Sequence, residues 1–147
     1  MRGAYILVIR VEKPMKIKVG SLGAINFKRG YYCYVGSAMG RGKSLEKRIA
    51  RHLRKRKKIR WHIDYLLKSK HVEVAMVFLF PSERRIECSI SRKLERLATC
   101  TIRGFGSSDC RCKGHLHYFA SFEKLKDALI ALVNQNKIKR ANRTCSL

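Results

Sequence analysis

The sequence predicts an α+β (α/β) domain: a small, mostly antiparallel sheet flanked by helices. Three observations lead there. Short runs rich in β-branched and aromatic residues, such as Gly3–Val11, alternate with turn material. Apolar residues at helical spacing follow the capping serines Ser44 and Ser82. A chain of 147 residues makes one domain that can bury a real core without staples, assigned to 1–138, with a basic, frayed tail over 139–147.

Taken in order, the first strand is closed by Pro14, and residues 15–19 alternate apolar with basic as a half-exposed strand. A third follows, with a tight turn at Arg29 and Gly30 and a return through Tyr31, Tyr32 and Tyr34, so the opening third predicts an antiparallel meander. A glycine-rich loop ends at Ser44, and Leu45, Ile49 and Leu53 form the stripe of the helix behind it. Around Trp61 a second, short helix begins, with the tryptophan as its anchor to the sheet. Residues 71–80 are nearly continuously apolar and therefore predict a central strand. Pro81 ends it, and Ser82 caps a helix with Ile86, Ile90, Leu94 and Leu97 inward. Residues 99–114 are loop, 115–121 a short strand, and a last helix turns Leu125, Leu129, Leu132 and Val133 inward.

Lys and Arg number 34 against 10 acids, for a net charge of +24. Such a field suits a polyanion, nucleic acid ahead of an anionic membrane surface. No apolar run reaches membrane-spanning length, and the opening lacks a cleavage site, so a cytoplasmic, nucleoid-associated protein is expected. In that compartment the six cysteines are reduced, buried or metal-bound rather than a disulfide framework.

Strand alternation sends Tyr32 and Tyr34 to one face and Tyr31 and Cys33 to the other, with Tyr5 able to approach the first pair. On the helix after Ser44, Arg48 lies roughly 100° and His52 roughly 60° from the centre of the apolar stripe. Arg41, Lys43, Arg51, Lys55, Lys57, Lys58 and Arg60 supply a cationic shoulder beside them. Glu87 falls roughly 55° from the centre of the next helix's stripe, an awkward place for a carboxylate that invites an ion pair or a divalent metal. A phenol, a guanidinium and a metal-binding carboxylate together suit phosphodiester chemistry.

"GAY" at residues 3–5, "YVG" at 34–36 and "LEKRIARH" at 45–52 resemble the signature of the GIY-YIG endonuclease superfamily. Through "GSLGAINFKRGYYCYVGSA", "RWHIDYLL", "IEC" and "GFGSSDCRCKGHLHYF" the chain more closely resembles the largely archaeal Uri-type branch. The resemblance implies a metal-dependent endonuclease acting on DNA, ahead of RNA, in repair or recombination. It further implies Tyr5 and Tyr34 lining the active site, Arg48 stabilising the transition state, and His52 as an active-site histidine. Glu87 would be the ligand for Mg²⁺ or Mn²⁺. An unperturbed phenol titrates near pH ~10, so Tyr34 serves as base only if positive charge lowers its pKa.

Two further groups stand out. Cys110, Cys112, His115 and His117 are zinc-ligand types, with Cys88 able to complete a site, though buried thiols and a core histidine explain them better. The loop "GFGSSDC" could offer backbone amides to a phosphate. Two readings compete with the nuclease: a non-catalytic nucleic-acid-binding module, and a zinc-organised interaction protein.

Overall fold

The computed structural model describes residues 1–42 and 44–145, with side chains as far as 134. Its elements are β1 (Gly3–Val11), β2 (Met15–Lys18), β3 (Ala24–Phe27), β4 (Gly30–Ala38), α1 (Leu45–Leu53), α2 (His62–Leu67) and β5 (Val72–Pro81), followed by α3 (Glu87–Leu97), β6 (Cys100–Thr101), β7 (Leu116–Phe119) and α4 (Phe122–Cys145). Five strands form one sheet in the order β5-β1-β4-β7-β6, every pairing antiparallel. The α+β class is as the sequence predicts.

Both faces of β1 are apolar and both are covered. Tyr5, Leu7, Ile9 and Val11 join Tyr32, Tyr34, Leu45, Ile63, Leu66 and Phe105 on one side of the sheet. Ala4, Ile6 and Val8 join Cys33, Val35, Ile90, Leu94, Leu125 and Leu129 on the other. The alternation expected for the tyrosines holds: Tyr31 packs on Phe122 with ring centroids 5.6 Å apart, on the face away from Tyr32 and Tyr34.

The strand 71–80, predicted central, lies at the edge of the sheet as β5. Its apolar continuity reports covered faces rather than paired edges: Val72, Val74 and Val77 meet one core, Phe78 and Phe80 the other. A bulge opposite Val8 and Ile9 shifts the register between Val74 and Met76, which is how Val74 and Val77 share a face. The expected meander is also replaced. β1 pairs directly with β4 along its whole length, from Gly3 opposite Ala38 to Val11 opposite Gly30, while β2 and β3 pair only with each other. That two-stranded ribbon turns Met15, Ile17 and Ile25 onto the first core and leaves Lys16 and Lys18 exposed.

Ser44 caps α1 as expected, accepting a hydrogen bond from Lys47 N at 3.2 Å. Leu53 is 53% exposed, and His52 takes its place in the buried stripe of α1. Ser82 does not cap α3, which begins at Glu87; Ser82 Oγ accepts from Arg84 N within a local turn, and Leu97 is exposed. Glu87 is consequently the first-turn acid favoured by the helix dipole, and Glu83 pairs with Arg2. The backbone of α4 runs to Cys145, through most of the segment read as a tail. Among the described residues no helix is long and apolar enough to cross a membrane.

Candidate active site

The site lies where β1, β4, α1 and α3 meet. Tyr5 and Tyr34, Arg48 and Glu87 line one cleft of about 330 Å³, together with Gly36, Ser37, Arg60, Trp61, His62, Gly106, Ser108 and Asp109. Four of the five residues that the sequence and its resemblance nominate thus share one cavity. The fifth, His52, stands directly behind it: Tyr5 Oη lies 2.6 Å from His52 Nε2.

Each side chain is placed by its element. Tyr5 and Tyr34 project to the same face from neighbouring strands, with ring centroids 6.4 Å apart. Gly36 is directly opposite Tyr5 in the ladder, and a Cβ there would overlap the Tyr5 hydroxyl. Glycine is required at this position by the phenol rather than by its own backbone. Gly36→Ala is expected to cost about 1–3 kcal/mol through overpacking and to displace Tyr5 from His52. Unfolding in urea reads the first effect, and the imidazole NMR signals of His52 read the second. A neutral result in both would show that Tyr5 has room to move.

α1 sets Arg48 over the Trp61 ring, 4.6 Å from its centroid, and Arg51 at 4.2 Å. Arg51 is held in turn by Asp64, which is fully buried and accepts from both guanidinium nitrogens at 3.0 and 2.9 Å. Asp64 also accepts from the backbone N–H groups of Arg60 and Trp61 at 2.9 and 3.0 Å. One carboxylate therefore fixes the whole entry to α2. Trp61 is an anchor, as predicted, but it anchors arginines as well as its helix.

Burial pushes the Tyr34 phenol up, and Glu87 adds to this more than Arg48 relieves it. The condition for Tyr34 to act as a ready phenolate is not met. Burial also holds Tyr5 well above the ordinary phenol range, with Tyr34 and Glu87 adding to it against the charge and hydrogen bond of Arg48. His52 is pushed down to about 4, first by burial, then by the charge of Lys57 against the pull of Asp64. It is a neutral imidazole at neutral pH. Burial drives the Glu87 carboxyl up, but His115, the Ser37 hydroxyl and the charge of Arg85 outweigh it, leaving Glu87 below the usual carboxylate range.

The basic residues divide into two sets. Arg51 is committed to Asp64 and to Lys58 O, and Lys57 donates to Arg51 O and His52 O at 3.2 and 2.5 Å, capping the end of α1. Arg41, Lys55, Lys58 and Arg60 are exposed, whereas Lys43 lies outside the described residues. Arg60 lines both the cleft and an adjoining groove formed with Arg54, Arg56 and Lys58.

Behind Glu87 is a second constellation. Cys88, Cys110, Cys112 and His115 bring their ligand atoms within 4.8 Å of one another, an arrangement that could hold a metal ion. His117 is excluded from it. Its Nε2 lies 2.8 Å from Ser91 Oγ and its Nδ1 2.7 Å from Thr101 Oγ1, so both ring nitrogens are engaged, and burial pushes its pKa down to about 3. Cys33, Cys88, Cys100, Cys110 and Cys112 are free thiols.

His52 and His117 predict an acid-sensitive fold. Both carry folded pKa values below the ordinary imidazole value, so the unfolded chain takes up the proton first and stability falls as pH drops from about 6.5 toward 4. At pH 5 the loss is on the order of 2 kcal/mol for each. Urea unfolding at pH 8 and pH 5 measures it, and His52→Phe is expected to remove about half of the dependence. Equal stability of the wild type at the two values would contradict the assignment.

Several site residues carry no signal in the sequence alone. Ser37, Ser108 and Asp109 reach the cleft from loops and strand ends, and Gly106 N donates to His62 Nδ1 at 2.9 Å, tying the loop of residues 102–115 to α2. The stretch "GFGSSDC" did mark that segment as a candidate, without showing what it faced. Fold and cleft together define an α+β domain with a tyrosine-lined cavity that sets Arg48 and Arg60 beside Glu87 and Asp109. The family described as Domain of unknown function DUF123 matches residues 4–138, and the chain belongs to it. No curated protein and no solved structure matches the chain.

Proposed function

We propose that the protein is a metal-dependent endonuclease that hydrolyses DNA phosphodiester bonds, a member of the GIY-YIG superfamily in its Uri-type branch, acting in repair or recombination. The observation that carries this reading is the convergence of Tyr5, Tyr34, Arg48 and Glu87 on one cleft from four separate elements. The groove of Arg54, Arg56, Lys58 and Arg60 runs from that cleft and gives a phosphate backbone a path across the surface.

Arg48 offers a forked, permanently charged donor to the phosphoryl oxygens as negative charge builds on them. The Tyr5 hydroxyl faces the cleft and has a neutral imidazole behind it. With His52 Nε2 as acceptor, Tyr5 can take a proton from the attacking water while passing its own inward, so no free phenolate is needed. Tyr34 orients the water by hydrogen bonding. Glu87, held ionised, is the ligand for Mg²⁺ or Mn²⁺, which supplies Lewis-acid charge at the scissile phosphate when bound.

At the Cys/His constellation the proposed ion is Zn²⁺, since three thiols and an imidazole match its preference and its usual Cys₃His set. Free thiols and a basic, nucleic-acid-directed surface fit a cytoplasmic location. The rival reading, a binding module without chemistry, takes its support from the burial that keeps both phenols protonated. Cleavage of labelled DNA and RNA of duplex, branched and single-stranded form, by wild type and Glu87→Gln at matched occupancy, separates the two. The nuclease reading requires that the wild type cut at least one form and that the variant bind it without cutting. Binding by both proteins with cutting by neither would favour the module.

A further inference from the structure

We infer that the metal centre at Cys88, Cys110, Cys112 and His115 is the device that positions Glu87 in the cleft, acting through the imidazole of His115. The inference rests on reading Glu87 as the catalytic metal ligand, and it adds a role that a merely stabilising zinc would not have.

The geometry of His115 is the first support. Its two ring nitrogens face different partners: Nε2 lies 3.5 Å from Cys110 Sγ and 3.9 Å from Cys88 Sγ. Tetrahedral zinc with bonds of about 2.3 Å to sulfur and about 2.0 Å to nitrogen places such atoms about 3.6 Å apart. The observed edges fit that figure. On the opposite side of the ring, Nδ1 lies at ion-pair distance, 2.9 Å, from Glu87 Oε1, and this buried nitrogen makes no hydrogen bond to any other group among the described residues. A metal-bound histidine whose second nitrogen meets a carboxylate is the usual way such a ring is oriented. Here the carboxylate so engaged lines the cleft.

The chain connections are the second support. Glu87 and Cys88 are adjacent in the first turn of α3, so one ion would grip the helix immediately beside its cleft-facing acid. Cys110 and Cys112 follow directly on Ser108 and Asp109, which also line the cleft. His115 is fastened to the sheet by its own backbone: Val35 N donates to His115 O at 2.9 Å, and His115 N to Phe105 O at 2.7 Å. Two segments far apart in sequence, residues 87–88 and 108–115, thus meet at one point, at the back of the site. None of the three cysteines belongs to either hydrophobic core. Loss of the ion is accordingly expected to loosen the cleft while the sheet persists.

His115→Cys separates positioning from stability, because a fourth thiolate retains zinc but offers nothing to Glu87. The expected result is one equivalent of zinc in both proteins, with similar melting temperatures. Cleavage by the variant falls about 10- to 100-fold, and salt-dependent DNA binding is unchanged. A second readout needs no activity. In zinc-loaded wild type, imidazole NMR should show His115 metal-bound at Nε2 with a slowly exchanging Nδ1–H, and Glu87→Gln should shift that proton. Absence of bound zinc, or an Nδ1–H indifferent to Glu87, overturns the inference. If the NMR contact is present and no nucleic acid is cut, positioning of Glu87 stands while the nuclease reading fails. If the wild type cuts and His115→Cys cuts equally well, the nuclease reading stands and this inference fails.

Discussion

Replacement of Arg48 by alanine is expected to lower the rate of strand cleavage about 10²- to 10³-fold at saturating DNA, the loss typical of removing one preorganised donor to developing charge. Two features make Arg48 the residue with the most to lose. Its guanidinium is held over Trp61, 4.6 Å from the ring centroid, so it is ordered before substrate arrives. Among the described residues no carboxylate lies within ion-pair distance of it, so its charge is available to a phosphate. Arg54, Arg56, Lys58 and Arg60 lie along the adjoining groove and keep most of the electrostatic attraction for the backbone. The loss should therefore appear in kcat, with binding changed little. Arg48→Lys retains the charge but not the fork and should recover only part of the rate. An alanine variant that cuts at the wild-type rate would remove Arg48 from the mechanism.

The second large effect is expected at a residue that does not line the cleft. Asp64→Ala should destabilise the fold by about 3–5 kcal/mol, because it leaves the Arg51 guanidinium, whose side chain is only 15% exposed, without its counter-charge. For a domain of this size that lowers the melting temperature by about 6–20 °C. It also frees the backbone N–H groups of Arg60 and Trp61, so the platform under Arg48 loosens. A paired substitution distinguishes a buried charge from simple packing: Asp64→Leu with Arg51→Met removes both charges and should regain much of the stability. If Asp64→Ala alone melts within a degree or two of the wild type, the ion pair is dispensable.

How far the sequence could be read depended on whether a signal was local. Ser44 and the helix behind it, the alternation of Tyr31 to Tyr34, and the inward face of α4 follow from caps and periodicity, which report on neighbours in the chain. The place of β5 did not follow, because an apolar run reveals that two faces are covered and says nothing about which edges are paired. The ribbon of β2 and β3 was mistaken for part of the sheet for the same reason: a half-exposed strand looks alike whether it extends a sheet or lies across a core.

The site divides along similar lines. Tyr5, Tyr34, Arg48, His52 and Glu87 were legible from motif order and helical angle, and all five gather at the cleft or directly behind it. Contacts between distant segments were not legible. No spacing rule joins Gly36 to Tyr5, Asp64 to Arg51, or Glu87 to His115. Charge counting was equally blind to use: Arg51 and Lys57 look like Arg54 and Lys58 in the sequence, yet the first two are occupied within the fold. The Cys/His cluster shows both sides of this. Its residue types were visible, with Cys88 nominated to complete it, but only the fold shows that His117 is satisfied by two hydroxyls and so leaves the ligand set.

Whether the cleft performs chemistry decides between a nuclease and a binding domain. The most direct measurement is single-turnover cleavage of labelled duplex and branched DNA by the wild-type protein in Mg²⁺ or Mn²⁺, against the same reaction in a chelator selective for those ions. The account predicts strand breaks that require the divalent cation and arise without a covalent protein–DNA intermediate. Intact DNA under every metal condition, in the presence of saturating bound protein, would contradict it and leave a nucleic-acid-binding domain with an inert cleft.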